Sequence, residues 1–220
     1  MQDFLVNENM HILIQAHTDQ NEPGLPEYVQ YSCLKRAVKI GESLVDLGFP
    51  PGAIHIESLA NNYPLIRSEI AGESLDSLSY MNKRIEIIFY KNDSLLSEIK
   101  QYPKNKISPL FLERNFQLLE TIQEDLYYSV QIARTDRMFK NANLRLYNDV
   151  FIRKEGLENT NDYYIGFYTN LDDAKAAQSD LLKSKISDAE IVVFFNRNKL
   201  DPEQMRNYST EYPELLKLLD

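Results

Sequence analysis

The hydrophobic pattern of the N-terminal part switches cleanly from one period to another. Ile12, Ile14 and Ala16 fall on one face and Leu13 and Gln15 on the other, the period of two that predicts a strand. The pattern stops at His17-Thr18-Asp19, and Pro23, Gly24 and Pro26 mark a loop. Leu34, Ala37, Val38, Leu44 and Val45 then recur at helical spacing, which predicts a helix over 27–47. Pro26 suits its first turn, where a missing N–H costs nothing. Gly48 stops it, and Pro50-Pro51-Gly52 predicts a turn. A strand follows over 54–57, with Ile54 and Ile56 on one face. The stretch 66–79 reads as weakly helical and polar. Another strand is predicted over 84–90, with Ile85, Ile87 and Phe89 facing the helices.

The pattern then changes. Pro103, Lys104, Asn105, Lys106 and Pro109 break it up, and Phe111, Phe116, Leu119 and Ile122 form a stripe suited to a short helix over 111–124. This region reads as a linker, 92–125, between two units. Strands are predicted over 127–133, 149–153, 162–168 and 189–195. A helix is predicted over 171–184 from Ala174, Ala177, Gln178, Leu181 and Leu182, with Asp172 and Asp173 in its first turn and Lys183 and Lys185 near its end. The stretch 134–147 is irregular. A tail, 199–220, carries a short terminal helix over 214–219. The fold class expected is α+β: two small sandwich-like modules, 1–91 and 126–198, each a mixed or antiparallel sheet with helices on one face.

Composition narrows the function. With 43% hydrophobic and 26% charged residues the chain is ordinary for a globular protein. No apolar run approaches the roughly 20 residues of a membrane-spanning helix. The net charge of −9 argues against nucleic acid and anionic lipid as partners. The single cysteine, Cys33, excludes an internal disulfide and reads as a small apolar residue on the buried side of the helix. Three histidines, His11, His17 and His55, stand in no ligand spacing, so no metal is expected. His17 is expected to hydrogen-bond within its loop. No G-x-S-x-G and no Gly-rich phosphate loop occur, so no catalytic residue and no cofactor are assigned.

The chemistry that remains is an opposite-charge pair. Asp19 ends the first strand and Arg36 lies on the following helix, so an acid and a base are held apart by a loop on a rigid scaffold. Such a pair suits a ligand bearing both an ammonium and a carboxylate, the guanidinium fork taking the carboxylate with two parallel bonds. The plainer alternative is a solvated surface arginine and a turn-forming aspartate.

These residues sit in motifs. The run I-x-I-x-x-H-T-D, then S-C-L-K-R-A, then M-N-K-R-I-E-I resembles the OmpA-like peptidoglycan-binding domain. The resemblance implies that Asp19 and Arg36 grip the diaminopimelate of the stem peptide, with Thr18, Asn82 and Lys83 beside them. Lys83 stands where the family has an Arg, Tyr28 where it commonly has an Asn, and Ser58 and Ala60 where its loop has glycines. The family's first strand and most of its first helix would precede residue 1, so the chain is expected to be a piece of a longer protein, with residues 3–6 as the tail of that helix. No signal peptide is read at Met1-Gln2-Asp3, which is acidic.

In the second half, Y-Y-S-V-Q-I and Y-Y-I-G-F-Y each open a strand. The pair resembles the SPOR domain, which implies glycan binding, with Tyr128, Gln131 and Tyr164 as candidate contacts beside Tyr127 and Phe167. The alternative is that strand aromatics are simply core. Together the resemblances imply a non-enzymatic anchor in the periplasm of a Gram-negative, Bacteroidetes-type envelope. Its partner would be peptidoglycan, and other envelope proteins are further candidate partners.

Overall fold

The computed structural model describes residues 10–65, 69–70, 73–74, 79–91, 125–147, 149–186 and 188–219. Strand β1 (Met10–His17) leads into helix α1 (Pro26–Asp46), and a 3-10 turn (Pro51–Ala53) returns the chain to β2 (Ile54–Ala60), parallel to β1. Two short strands, β3 (Glu69–Ile70) and β4 (Glu73–Ser74), pair with each other alone, where helix was expected. β5 (Ile85–Lys91) runs antiparallel to β1. The second half supplies β6 (Leu126–Thr135), β7 (Val150–Glu155), β8 (Asn161–Tyr168), α2 (Leu171–Lys183), β9 (Glu190–Phe195) and β10 (Asn198–Lys199), then α3 (Pro202–Tyr208) and a 3-10 turn (Pro213–Leu218). The helices expected at 3–6 and 111–124 lie outside the described residues.

The class is α+β, as the sequence predicts, but the two halves do not keep separate sheets. All the strands except β3 and β4 form one eight-stranded mixed sheet, in the order β10–β9–β6–β8–β7–β2–β1–β5. The halves join where β2 and β7 pair antiparallel, His55 opposite Glu155 and Glu57 opposite Arg153.

One face of the sheet is conventional. Ile12, Ile14, Ile54, Ile56, Val130, Ile132, Ile152 and Ile165 pack with Leu34 and Ala37 of α1 and Leu181 of α2. Cys33 is buried in the same core, as expected. Gly41 lets α1 approach closely, because a Cβ there would stand 3.1 Å from Ile56. The α3 turn and the terminal 3-10 turn cover Leu126, Tyr128 and Val193 through Met205, Tyr208 and Leu215. An Asp201–Gln204 capping box starts α3.

The other face is buried too, although the helices described above pack on the first. The reason is curvature. Tyr90 of β5 donates through Oη to Asn198 of β10 at 3.4 Å, and the Arg197 guanidinium lies 5.8 Å from the Tyr90 ring. These residues belong to opposite edges, which a flat sheet would hold about 34 Å apart at about 4.8 Å per strand. The sheet is therefore rolled. An eight-stranded roll leaves an interior about wide enough for side chains alone. Here Tyr127 stacks on Phe194 at 4.9 Å and Phe151 on Phe167 at 4.4 Å, and Leu59, Tyr164 and Val192 complete the cluster. The β9–β10 turn carries Asn196 and Arg197 at positive φ, as a tight hairpin requires. The Arg197 carbonyl accepts from Arg153 across the interior.

Candidate functional site

The site is built where β1 ends. A bulge between Ala16 and His17 shifts the register against β2, so the strand leaves the sheet pinned on both sides. His17 N donates to the Arg84 carbonyl at 2.9 Å, and Thr18 N to the Ala60 carbonyl at 2.7 Å. The Asp19 carboxylate is next, 1% exposed. Its Oδ1 accepts from Asn21 N at 2.9 Å, an Asx turn that shapes the loop. Its Oδ2 accepts from Asn82 Nδ2 at 2.7 Å. Asn82, itself buried, also accepts from Leu65 N through Oδ1 at 2.9 Å, so one side chain ties three loops together.

Around this buried centre stands a more exposed ring. Glu22 Oε2 accepts from Thr18 Oγ1 at 2.9 Å and pairs with Lys83 Nζ at 2.8 Å. The Lys83 bond, the Thr18 bond and the Arg36 charge outweigh burial and hold the Glu22 carboxyl below its ordinary range. Arg36, exposed on α1, donates through Nη2 to the His17 carbonyl at 3.2 Å and contacts Cys33 Sγ at 3.4 Å. All five residues predicted for the ligand, Asp19, Arg36, Thr18, Asn82 and Lys83, thus gather at the C-terminal end of β1. Glu22 joins them. Its spacing of four from Thr18 was the available signal, in a loop where spacing carries little weight.

His17 departs from expectation. Its ring is buried, and neither nitrogen has a hydrogen-bond partner; Glu86 Oε1 is 3.6 Å from Nε2. Burial, and then the nearby Arg84 charge, hold the imidazole well below its usual range despite the Tyr63 backbone. Cys33 packs in the core, and burial pushes its thiol up.

The glycan candidates are not brought to a surface. Tyr128 and Tyr164 are core residues, Tyr128 under α2 and the terminal turn and Tyr164 inside the roll. They lie on opposite faces of the sheet, and both faces are covered. Gln131 is half-buried and occupied: Nε2 donates to Asp162 Oδ1 at 3.0 Å, and Oε1 accepts from Lys199 Nζ at 2.7 Å.

A second polar cluster lines the roll. Gln15 donates to Glu57, Glu57 pairs with Arg153, and Arg153 pairs with Glu155. Glu155 bonds His55, and His55 Nε2 meets His11 Nδ1 at 3.0 Å. Among the described residues no group of His, Cys, Asp and Glu is placed to hold a metal ion, and no helix is long and apolar enough to cross a membrane. Compared with protein-family models, curated proteins and solved structures, the chain matches none.

Proposed function

We propose that the chain binds peptidoglycan without catalysis, holding the diaminopimelate of stem peptides in the periplasm and so tethering an envelope complex or the outer membrane to the wall. One observation supports this reading above others. Asp19, Arg36 and Asn82 gather at one strand end: Asn82 donates to the Asp19 carboxylate, and Arg36 donates to the His17 carbonyl two residues before it. Diaminopimelate carries an ammonium and a carboxylate on one carbon. Asp19 is the partner for the ammonium. Arg36, with Lys83 and Thr18, is the partner set for the carboxylate, Arg being the better fork and Lys a point charge. The rigid strand end lowers the ordering cost of such a contact.

Sedimentation of the full chain with purified sacculi tests the reading. The wild-type chain is expected to co-sediment, and Asp19→Ala and Arg36→Ala are expected to stay in the supernatant. Binding that survives both substitutions overturns the diaminopimelate assignment.

A second reading has an observation of its own. Both Asp19 oxygens are already satisfied within the protein, by Asn21 and Asn82. A wall site that has lost its ligand and serves only to fix loops would look the same. The chain would then be an envelope scaffold that binds proteins, and the wild type would not sediment with sacculi.

A further inference from the structure

The reading above leaves Glu22 without a role, yet Glu22 sits on the groups that a ligand carboxylate would need. Its Oε2 is shared by Thr18 Oγ1 at 2.9 Å and Lys83 Nζ at 2.8 Å, and Arg36 is near enough for its charge to stabilise the same carboxylate. The loop does not depend on this side chain for its shape, because Glu22 N is held independently by the Asp19 carbonyl at 3.2 Å. Nor is the pair locked away: the Glu22 and Lys83 side chains are 32% and 42% exposed. Exposed pairs of this kind are weak and exchange readily.

We propose that Glu22 is a built-in occupant of the carboxylate subsite, which an incoming carboxylate must displace from Thr18 and Lys83. The inference rests on the diaminopimelate reading of the same site. It adds a basis for selectivity. A simple carboxylic acid gains from these donors only what Glu22 gives up, so the exchange is close to even. A zwitterion also brings an ammonium, which meets Asp19. The subsite thus rejects plain acids and accepts amino acids.

Two probes separate the inference from the reading on which it rests. Sodium acetate and meso-diaminopimelate are titrated, at constant ionic strength and neutral pH, into the full chain and into Glu22→Gln. The Thr18 and Lys83 backbone amide resonances are followed. Acetate decides the inference. The wild type is expected to be silent, and Glu22→Gln to respond at those two amides. An equal response from both proteins, or none from Glu22→Gln, overturns it. Diaminopimelate decides the reading. Both proteins are expected to bind it, the variant about three- to tenfold more tightly, as loss of one exposed charge-assisted pair allows. Weaker binding by the variant makes Glu22 the ammonium partner and overturns self-occupancy. An acetate response in the variant without any diaminopimelate response leaves the self-occupied subsite standing and removes its proposed ligand. Glu22→Ala, run in parallel with a thermal melt, guards against a fold effect peculiar to Gln.

Discussion

Glu57 and Arg153 form an ion pair at 3.0 Å across the seam between β2 and β7, and both side chains are 0% exposed. The seam is the only strand pairing between the two halves among the described residues, so this pair sits at the joint of the molecule. Arg153 is further satisfied by Glu155 and by the Arg197 carbonyl, and its guanidinium lies 4.9 Å from the Phe194 ring. A buried pair of this kind specifies a partner more than it stabilises, because desolvation offsets much of the attraction.

Removing one member should therefore cost far more than removing both. Arg153→Met alone is expected to destabilise by about 3–5 kcal/mol, since it leaves the buried Glu57 carboxylate without its cation, and Glu57→Gln by less, since Arg153 keeps Glu155 and the Arg197 carbonyl. The double variant is expected to recover a large part of that loss. Urea denaturation of the four proteins in a double-mutant cycle measures it; additive losses would mean that the two side chains act independently.

Acid should weaken the fold in two stages. His11 and His17 are both depressed below their ordinary value of 6.5, each chiefly by burial, helped by His55 for His11 and Arg84 for His17. A depressed histidine takes up its proton more readily in the unfolded chain, so its contribution is present above 6.5 and is lost as pH falls below it. Glu155 has an ordinary value of 4.5; burial alone would raise it, but Arg153 and His55 together hold it far lower. Its contribution is likewise present above the ordinary value and is lost at lower pH, which makes the second stage. Denaturation midpoints measured across this range should fall in both steps. His17→Phe should flatten the first and Glu155→Gln the second.

The Asn82 tie can be cut separately from the charges. Asn82→Ala removes the donor to Asp19 Oδ2 and the acceptor of Leu65 N. Leaving those buried groups unsatisfied is expected to cost about 1–3 kcal/mol. On the proposed peptidoglycan reading, sacculus binding should fall with it, because the Asp19 carboxylate is no longer aimed. A melt and a sedimentation assay on the same variant check both effects.

Gly166 is the most demanding backbone position in the sheet. Its φ is +72°, and a Cβ built there would lie 2.3 Å from the Tyr168 ring. It stands where β6 and β8 change register, and its carbonyl accepts from Ser129 Oγ at 2.6 Å. Gly166→Ala is expected to lower stability by about 1–3 kcal/mol from backbone strain alone, with the ring clash in addition. Thermal unfolding measures it, and a Tyr168→Ala background should return the clash component only.

Much of the local structure was legible, and its limits are instructive. The strand at Ile12–Ala16, the long helix with Leu34 and Ala37 inward, and the helix with Ala174 and Leu181 inward follow from periodicity, which reports a nearby chemical environment. The five ligand candidates come from the resemblance of their motifs; Thr18 and Asp19 follow β1, Asn82 and Lys83 precede β5, and Arg36 lies midway along α1. Tyr128 and Tyr164 could not be placed in the same way. Alternation separates the faces of a strand, but it does not say what covers each face, and here the helices cover one and the roll encloses the other. The pairing of β2 with β7 is non-local, and Glu57 and Arg153, opposite charges within the two strands, were its sequence trace. The Asp201–Gln204 capping box was a readable start signal for α3, in a tail where only the later turn was expected. His17 misled because a histidine beside a loop ordinarily finds a partner, whereas this one lies beneath the loop.

The shared seam has a practical corollary for anyone dissecting the gene. Fragments divided between Lys91 and Asp125 would each bare a long, unprotected hydrogen-bonding rim, and the C-terminal piece would lose the Glu57 carboxylate that pairs with Arg153. Each piece is expected to be insoluble when expressed singly, and solubility is expected to return when the two are co-expressed and allowed to complement one another.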